Sequence, residues 1–211
     1  MVSIVFADVS DFTSLVEKHA VEDVVEVLNR FFETVVPIIF RHGGMLDKFL
    51  GDGVMAVFGI PDPDDADPVR AIECAVDIQK GMETLKAQLE KDGLFPIDVG
   101  AGIATGVVLA GNIGTKNQMN YTVIGEPVNL AQRLESISRP GEIIVSNITT
   151  EMIPIGSGIS VSFEPMGTIR VKGIERDVSP MKVIYRSSGS VQPEKRSGRD
   201  HRPGLCGDTE P

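Results

Sequence analysis

The sequence predicts an α+β domain with a ferredoxin-like βαββαβ core and C-terminal strand extensions, and three observations predict it. Residues 45–60, MLDKFLGDGVMAVFGI, set two apolar runs on either side of Gly51, Asp52 and Gly53, a strong short-range hairpin signal. Two long segments, 12–40 and 69–91, carry apolar residues at helical spacing, one before the hairpin and one after it. Strand patterns rich in β-branched residues open the chain at VSIVFAD and follow the second helix at IDVGAGIATG. Strand, helix, hairpin, helix, strand is the element order of that fold.

The first apolar run ends in Asp8, and Ser10 and Asp11 supply N-caps for a helix beginning near Phe12. The helical pattern continues through Val21, Val24, Val25, Leu28, Phe31, Phe32 and Val35, with an interruption or kink expected near Pro37. Residues 41–44 close it, and the hairpin follows. PDPDDADP is then a Pro- and Asp-rich loop whose acids are irregularly spaced and read as solvated. The second helix presents Ala71, Ile72, Ala75, Ile78, Met82, Leu85 and Leu89 on one side and stops at Asp92 and Gly93. IDVGAGIATGVVLAGNIG reads as two strands joined by a turn near Thr105 and Gly106, with its glycines serving close packing. YTVI is a short strand, and GEPV opens a helix that has Pro127 in its first turn and ends near Ser138. EIIVS is a strand, a short helix follows Asn147, and ISVSF, GTIRV and MKVIYR are late strands. One domain is expected over residues 1–186. Residues 187–211, polar and without periodicity, form an expected disordered or appended tail.

Composition narrows the function classes. A chain of 211 residues with 42% hydrophobic residues suffices for one packed domain. A net charge of -10 argues against nucleic acid as a partner, because non-specific binding there relies on clustered Lys and Arg. Of two cysteines, Cys74 falls in a helical apolar pattern and Cys206 in the polar tail, so no disulfide framework is expected. No apolar run reaches membrane-spanning length and no signal peptide opens the chain, so a soluble, cytoplasmic domain is expected. It begins almost directly in a strand, which suggests a piece of a longer protein with an upstream regulatory domain.

Asp8 and Asp52 stand at strand ends beside a helix start, a pattern that suggests a divalent metal and phosphate site. Lys48, four residues before Asp52, would place a base and an acid in one rigid hairpin. Asp in a turn and Asp before a helix are also common without any metal, so the residues alone leave both readings open.

Taken in order, FADVSDFT, DKFLGDGVMAVFG, YTVIGEPVNLAQRLE and the VKG at 171–173 resemble the class III nucleotidyl cyclase catalytic domain, the adenylyl and guanylyl cyclase family. The resemblance covers residues 2 to 186. It implies conversion of a nucleoside triphosphate to a 3′,5′-cyclic monophosphate and pyrophosphate, in sites shared between two catalytic domains. By this resemblance Asp8 and Asp52 match the metal-binding aspartates, which implies two divalent ions, Mg²⁺ or Mn²⁺, as cofactors. Lys48 matches the purine-selecting lysine and Thr122 the second purine position. A lysine donates to the acceptor N1 of adenine, whereas guanine presents a donor there, and a Thr hydroxyl accepts from the exocyclic amine. ATP is therefore the expected substrate. Thr at this position resembles a bicarbonate-responsive subgroup, which implies bicarbonate as an effector.

Asn129 and Arg133, four apart on one helix face, match the ribose-orienting asparagine and the transition-state arginine. Lys172 matches the lysine that binds the terminal phosphates. In this family the metal aspartates come from one partner and the purine, ribose and transition-state residues from the other. This chain carries both sets, so the expectation is an adenylyl cyclase homodimer. The alternatives are an inactive cyclase-homology module that dimerises and relays a signal, and a guanylyl cyclase. The latter usually carries Glu and Cys where this chain has Lys48 and Thr122.

Overall fold

The computed structural model describes residues 1–170 and 177–186. Strand β1 (Val2–Val9) is central, paired antiparallel with β3 (Gly53–Phe58) on one side and β4 (Val99–Gly106) on the other. With β2 (Met45–Leu50) hydrogen-bonded outside β3, the four strands run β2-β3-β1-β4, the antiparallel sheet expected of the ferredoxin-like core. Helices α1 (Phe12–Lys18) and α2 (Val21–Arg41) connect β1 to the β2–β3 hairpin, and α3 (Asp67–Lys91) connects the hairpin to β4.

β5 (Leu109–Thr115) and β6 (Gln118–Ile124) then form a separate two-stranded ribbon, followed by α4 (Glu126–Ser136). Three further strands extend the main sheet beyond β4. β7 (Ile143–Val145) pairs parallel to it, α5 (Asn147–Glu151) follows, and β9 (Met181–Ile184) and then β8 (Ser162–Pro165) complete the edge.

Alternation along β1 explains the layers. Val5, Ala7 and Val9 join the larger core with Phe31 and Val35 of α2 and Ile72 and Ile78 of α3. Ile4 and Phe6 face the other way, into a smaller core with Met55, Val57, Leu130 and Leu134. Asp8 continues this second row, on the side that α4 covers. The approach of α4 is close at Gly102: a Cβ there would lie 2.2 Å from the carbonyl oxygen of Ala131 and 2.1 Å from the amide of Glu135. Any side chain at that position would push the helix off the sheet.

Several local expectations change. The helical pattern over 12–40 breaks at His19 and Ala20, both extended, where the His19 ring stacks on Phe95 at 3.8 Å. It does not break at Pro37, which lies inside α2. Pro37 is exposed while Val35, Ile38 and Ile39 are buried, so the carbonyl it leaves unbonded lies toward solvent and packing holds the helix together. Asp11 stands at the N-cap of α1 in a left-handed conformation, but its side chain makes no capping bond. β4 and β5 do not pair as a hairpin; β5 leaves the sheet and pairs with β6. Of the late strands, the segment at 167–171 makes only an isolated bridge, Ile169 to Val178, and its end lies outside the described residues. No described helix is long and apolar enough to cross a membrane.

Candidate active site

The two strand-end carboxylates meet. Asp8 pairs in register with Gly53, the residue after Asp52, and the β2–β3 turn folds Asp52 back onto the end of β1. Gly53 is what admits the acid: a Cβ there would lie 2.8 Å from Asp8 Oδ1. The backbone N–H of Val9 donates to the same oxygen at 2.9 Å. Burial and then the charge of Asp52 push Asp8 up to about 7, against an ordinary value of 3.8. Glu135 on α4 is likewise pushed up to about 7, by burial and then by the charges of Asp8 and Asp52. These acids crowd one another.

The crowding bears on whether divalent ions fit. Two carboxylates supply hard oxygen donors of the kind Mg²⁺ and Mn²⁺ take, and their mutual repulsion is what a cation relieves. Among the described residues no group of three or more His, Cys, Asp or Glu is arranged to hold a metal. Mg²⁺ is commonly held by one or two carboxylates with water and substrate phosphates completing the shell. The residues fit.

The same crowding has a measurable cost. Asp8 and Glu135 hold protons more tightly folded than unfolded, so these two groups contribute most to the stability of the metal-free fold below about pH 4, and that contribution is lost as the pH rises through about 7. Asp8→Asn removes one of the three crowded charges and leaves the repulsion between Asp52 and Glu135. After discounting for solvent screening of partly exposed groups, it should stabilise the metal-free protein at pH 8 by roughly 1 kcal/mol, a few degrees in Tm. Thermal melts at pH 5 and pH 8, with and without Mn²⁺, check this: Mn²⁺ should raise the wild-type Tm and leave that of Asp8→Asn nearly unchanged. Identical melts for the two proteins at pH 8 would mean that the carboxylates do not repel.

A second constellation joins the hairpin to the ribbon. Lys48 Nζ donates to Thr122 Oγ1 at 3.0 Å, across 74 residues of sequence. Thr122 is buried, and its hydroxyl donates to Asp47 Oδ2 at 2.9 Å. Asp47 Oδ2 also lies 3.2 Å from Lys48 Nζ. Sequence reasoning finds Lys48 and Thr122 but misses Asp47, since strict alternation sends neighbouring residues to opposite faces. It misses Glu135 as well, whose closeness to two acids from other elements leaves no local signal.

Asn129 and Arg133 both lie on the exposed face of α4. Among the described residues, neither side chain makes a hydrogen bond or ion pair, so both are available to a ligand. The structure brings Asp8 to Asp52 and Lys48 to Thr122, but no bond joins either pair to Asn129 or Arg133. Lys172 lies outside the described residues.

The family described as "Adenylate and Guanylate cyclase catalytic domain" matches residues 1–185. The terminal-differentiation specific adenylate cyclase of Dictyostelium discoideum is 32% identical over 189 residues, which is 87% of this chain and 8% of that protein. The chain thus spans less than a tenth of that relative's length. Among solved structures, the adenylyl cyclase CyaB from P. aeruginosa superposes with a TM-score of 0.82 at 35% identity, over 89% of this chain and 95% of that one. The guanylyl cyclase Cya2 superposes with a TM-score of 0.81, also at 35% identity, over 89% and 93%.

Proposed function

The chain belongs to the adenylate and guanylate cyclase catalytic domain family, and from that premise we propose that it is an adenylyl cyclase, converting ATP to 3′,5′-cyclic AMP and pyrophosphate at sites formed between two copies. The choice of ATP rests on one observation, the 3.0 Å hydrogen bond from Lys48 to Thr122. Overall similarity does not make that choice, because the adenylyl cyclase CyaB and the guanylyl cyclase Cya2 are equally identical to the chain. Lys48 is 41% exposed at its side chain and keeps donors for the acceptor N1 of adenine, where guanine carries an N–H. The Thr122 hydroxyl accepts from the exocyclic amine.

The remaining residues act on the sugar and phosphates. Asn129 orients the ribose, and Arg133 grips the non-bridging oxygens as the bond from O3′ to the α-phosphorus forms and the bond to pyrophosphate breaks. The 3′ hydroxyl proton passes to solvent. Asp8 and Asp52 would hold two divalent ions, whose charge when bound acidifies the 3′ hydroxyl and neutralises the triphosphate. Lys172 is assigned to the terminal phosphates. Bicarbonate is proposed as an effector on the strength of Thr122.

An exposed apolar surface supports the homodimer. Leu109 and Ile124 are cross-strand partners on the ribbon and are 71% and 54% exposed. Phe49 and Met119 add to the apolar surface of hairpin and ribbon, which a second copy would cover. The inactive-module reading is disfavoured because both carboxylates and the purine pair are present.

The test is direct. The purified chain is incubated with ATP or GTP and Mg²⁺ or Mn²⁺, and the products are resolved. ATP should be preferred, because a mismatched buried polar contact costs about 1 to 3 kcal/mol. Lys48→Glu with Thr122→Cys should erode that preference. Equal cyclisation of GTP by the wild type would sink the purine assignment.

A further inference from the structure

The register of β2 slips at a single point. Leu46 faces Ala56 and Lys48 faces Met55, so Asp47 is an extra residue in the ladder. A β-bulge of this kind opposes two residues to one, which lets consecutive side chains turn to the same side. Asp47 and Lys48 therefore reach the same hydroxyl, that of Thr122.

The chemistry of the three groups fixes where the one hydroxyl proton goes. An ammonium only donates, a carboxylate only accepts, and a hydroxyl has one proton and two lone pairs. Lys48 takes one lone pair of Thr122 and Asp47 takes its proton. What remains is a single lone pair. Asp47 is fully buried at its side chain, and among the described residues its Oδ1 has no hydrogen-bond partner. An idle buried oxygen weakens a fold, so stability does not account for the arrangement.

We infer that Asp47 is a specificity-determining positioning residue: by holding the Thr122 proton, it obliges that hydroxyl to accept from the purine, and so selects a 6-amino over a 6-oxo base. A free threonine hydroxyl could serve either base by rotating. This one cannot. The inference rests on the proposed reading that Lys48 and Thr122 face the purine.

The experiment measures kcat/KM for ATP and for GTP in the wild type and in Asp47→Asn, whose amide can donate to Thr122 and release its proton toward the base. The ratio of ATP to GTP should fall about tenfold or more, with ATP losing and GTP holding or gaining. In a Thr122→Val background, Asp47→Asn should leave the ratio unchanged. Asp47→Ala, which removes the carboxylate without supplying a donor to Thr122, is read by the same ratio and serves if the amide variant does not fold. Equal losses for both nucleotides would reduce Asp47 to a structural part and overturn its role, as would the same ratio shift with Val at position 122. A wild type without ATP preference overturns the purine reading itself. A wild type that prefers ATP while both Asp47 variants keep its ratio overturns only the role of Asp47.

Discussion

Asp8→Ala and Asp52→Ala are each expected to lower turnover by roughly a thousandfold or more while the fold and the dimer survive. The magnitude follows from the charge that develops on the phosphates as O3′ attacks, since losing one site for a divalent ion removes several kcal/mol of stabilisation at that moment. Survival of the fold follows from the crowding at these acids: removing one relieves repulsion that raises the other groups' proton affinity. Activity is assayed at saturating Mn²⁺, with melting and size measured alongside. A variant that keeps near wild-type turnover there would refute the metal assignment.

Mixing two inactive proteins is expected to restore activity. Asp8→Ala and Arg133→Ala should each be nearly inactive alone, because every site in either homodimer carries one lesion. In a mixed dimer both lesions can fall in one site and leave the other whole. Random equal mixing makes about half of the dimers mixed, each with one of two sites intact, so activity should return to roughly a quarter of wild type if the sites act independently. The two variants are mixed under conditions that let subunits exchange, exchange is verified with an affinity tag, and cyclic AMP is assayed. Verified mixed dimers without recovered activity would argue that each site is built within one chain, or that both must be intact together.

What could be read beforehand was what neighbours in sequence decide. The β2–β3 hairpin is legible because two apolar runs flank Gly51, Asp52 and Gly53, and α3 because its apolar stripe persists from Ala71 to Leu89. The break between α1 and α2 is not, since His19 and Ala20 carry no breaker and the stop depends on where Phe95 lies to stack against the ring. Pro37 misled for the converse reason: a local rule cannot know that the residue faces water. The pairing of β5 with β6 in place of β4 is a choice among partners that glycine and valine patterns leave undecided. At the site, Lys48 is legible from its place in the hairpin and Thr122 from the resemblance alone, and their contact spans a distance that periodicity does not measure. Asp47 needed the register itself.

That register makes β2 unusually sensitive to its own length. In a regular strand, a conservative substitution changes one contact and leaves the others facing as before. Here the loss of a neighbouring residue that restored one-to-one pairing would bring back strict alternation, so that only one of Asp47 and Lys48 could look toward Thr122 while the other turned to the face packed by α2 and α3. Insertions and deletions in this strand are therefore expected to act on the proposed base selection more drastically than most exchanges of side chain, even when Lys48 and Thr122 are both kept.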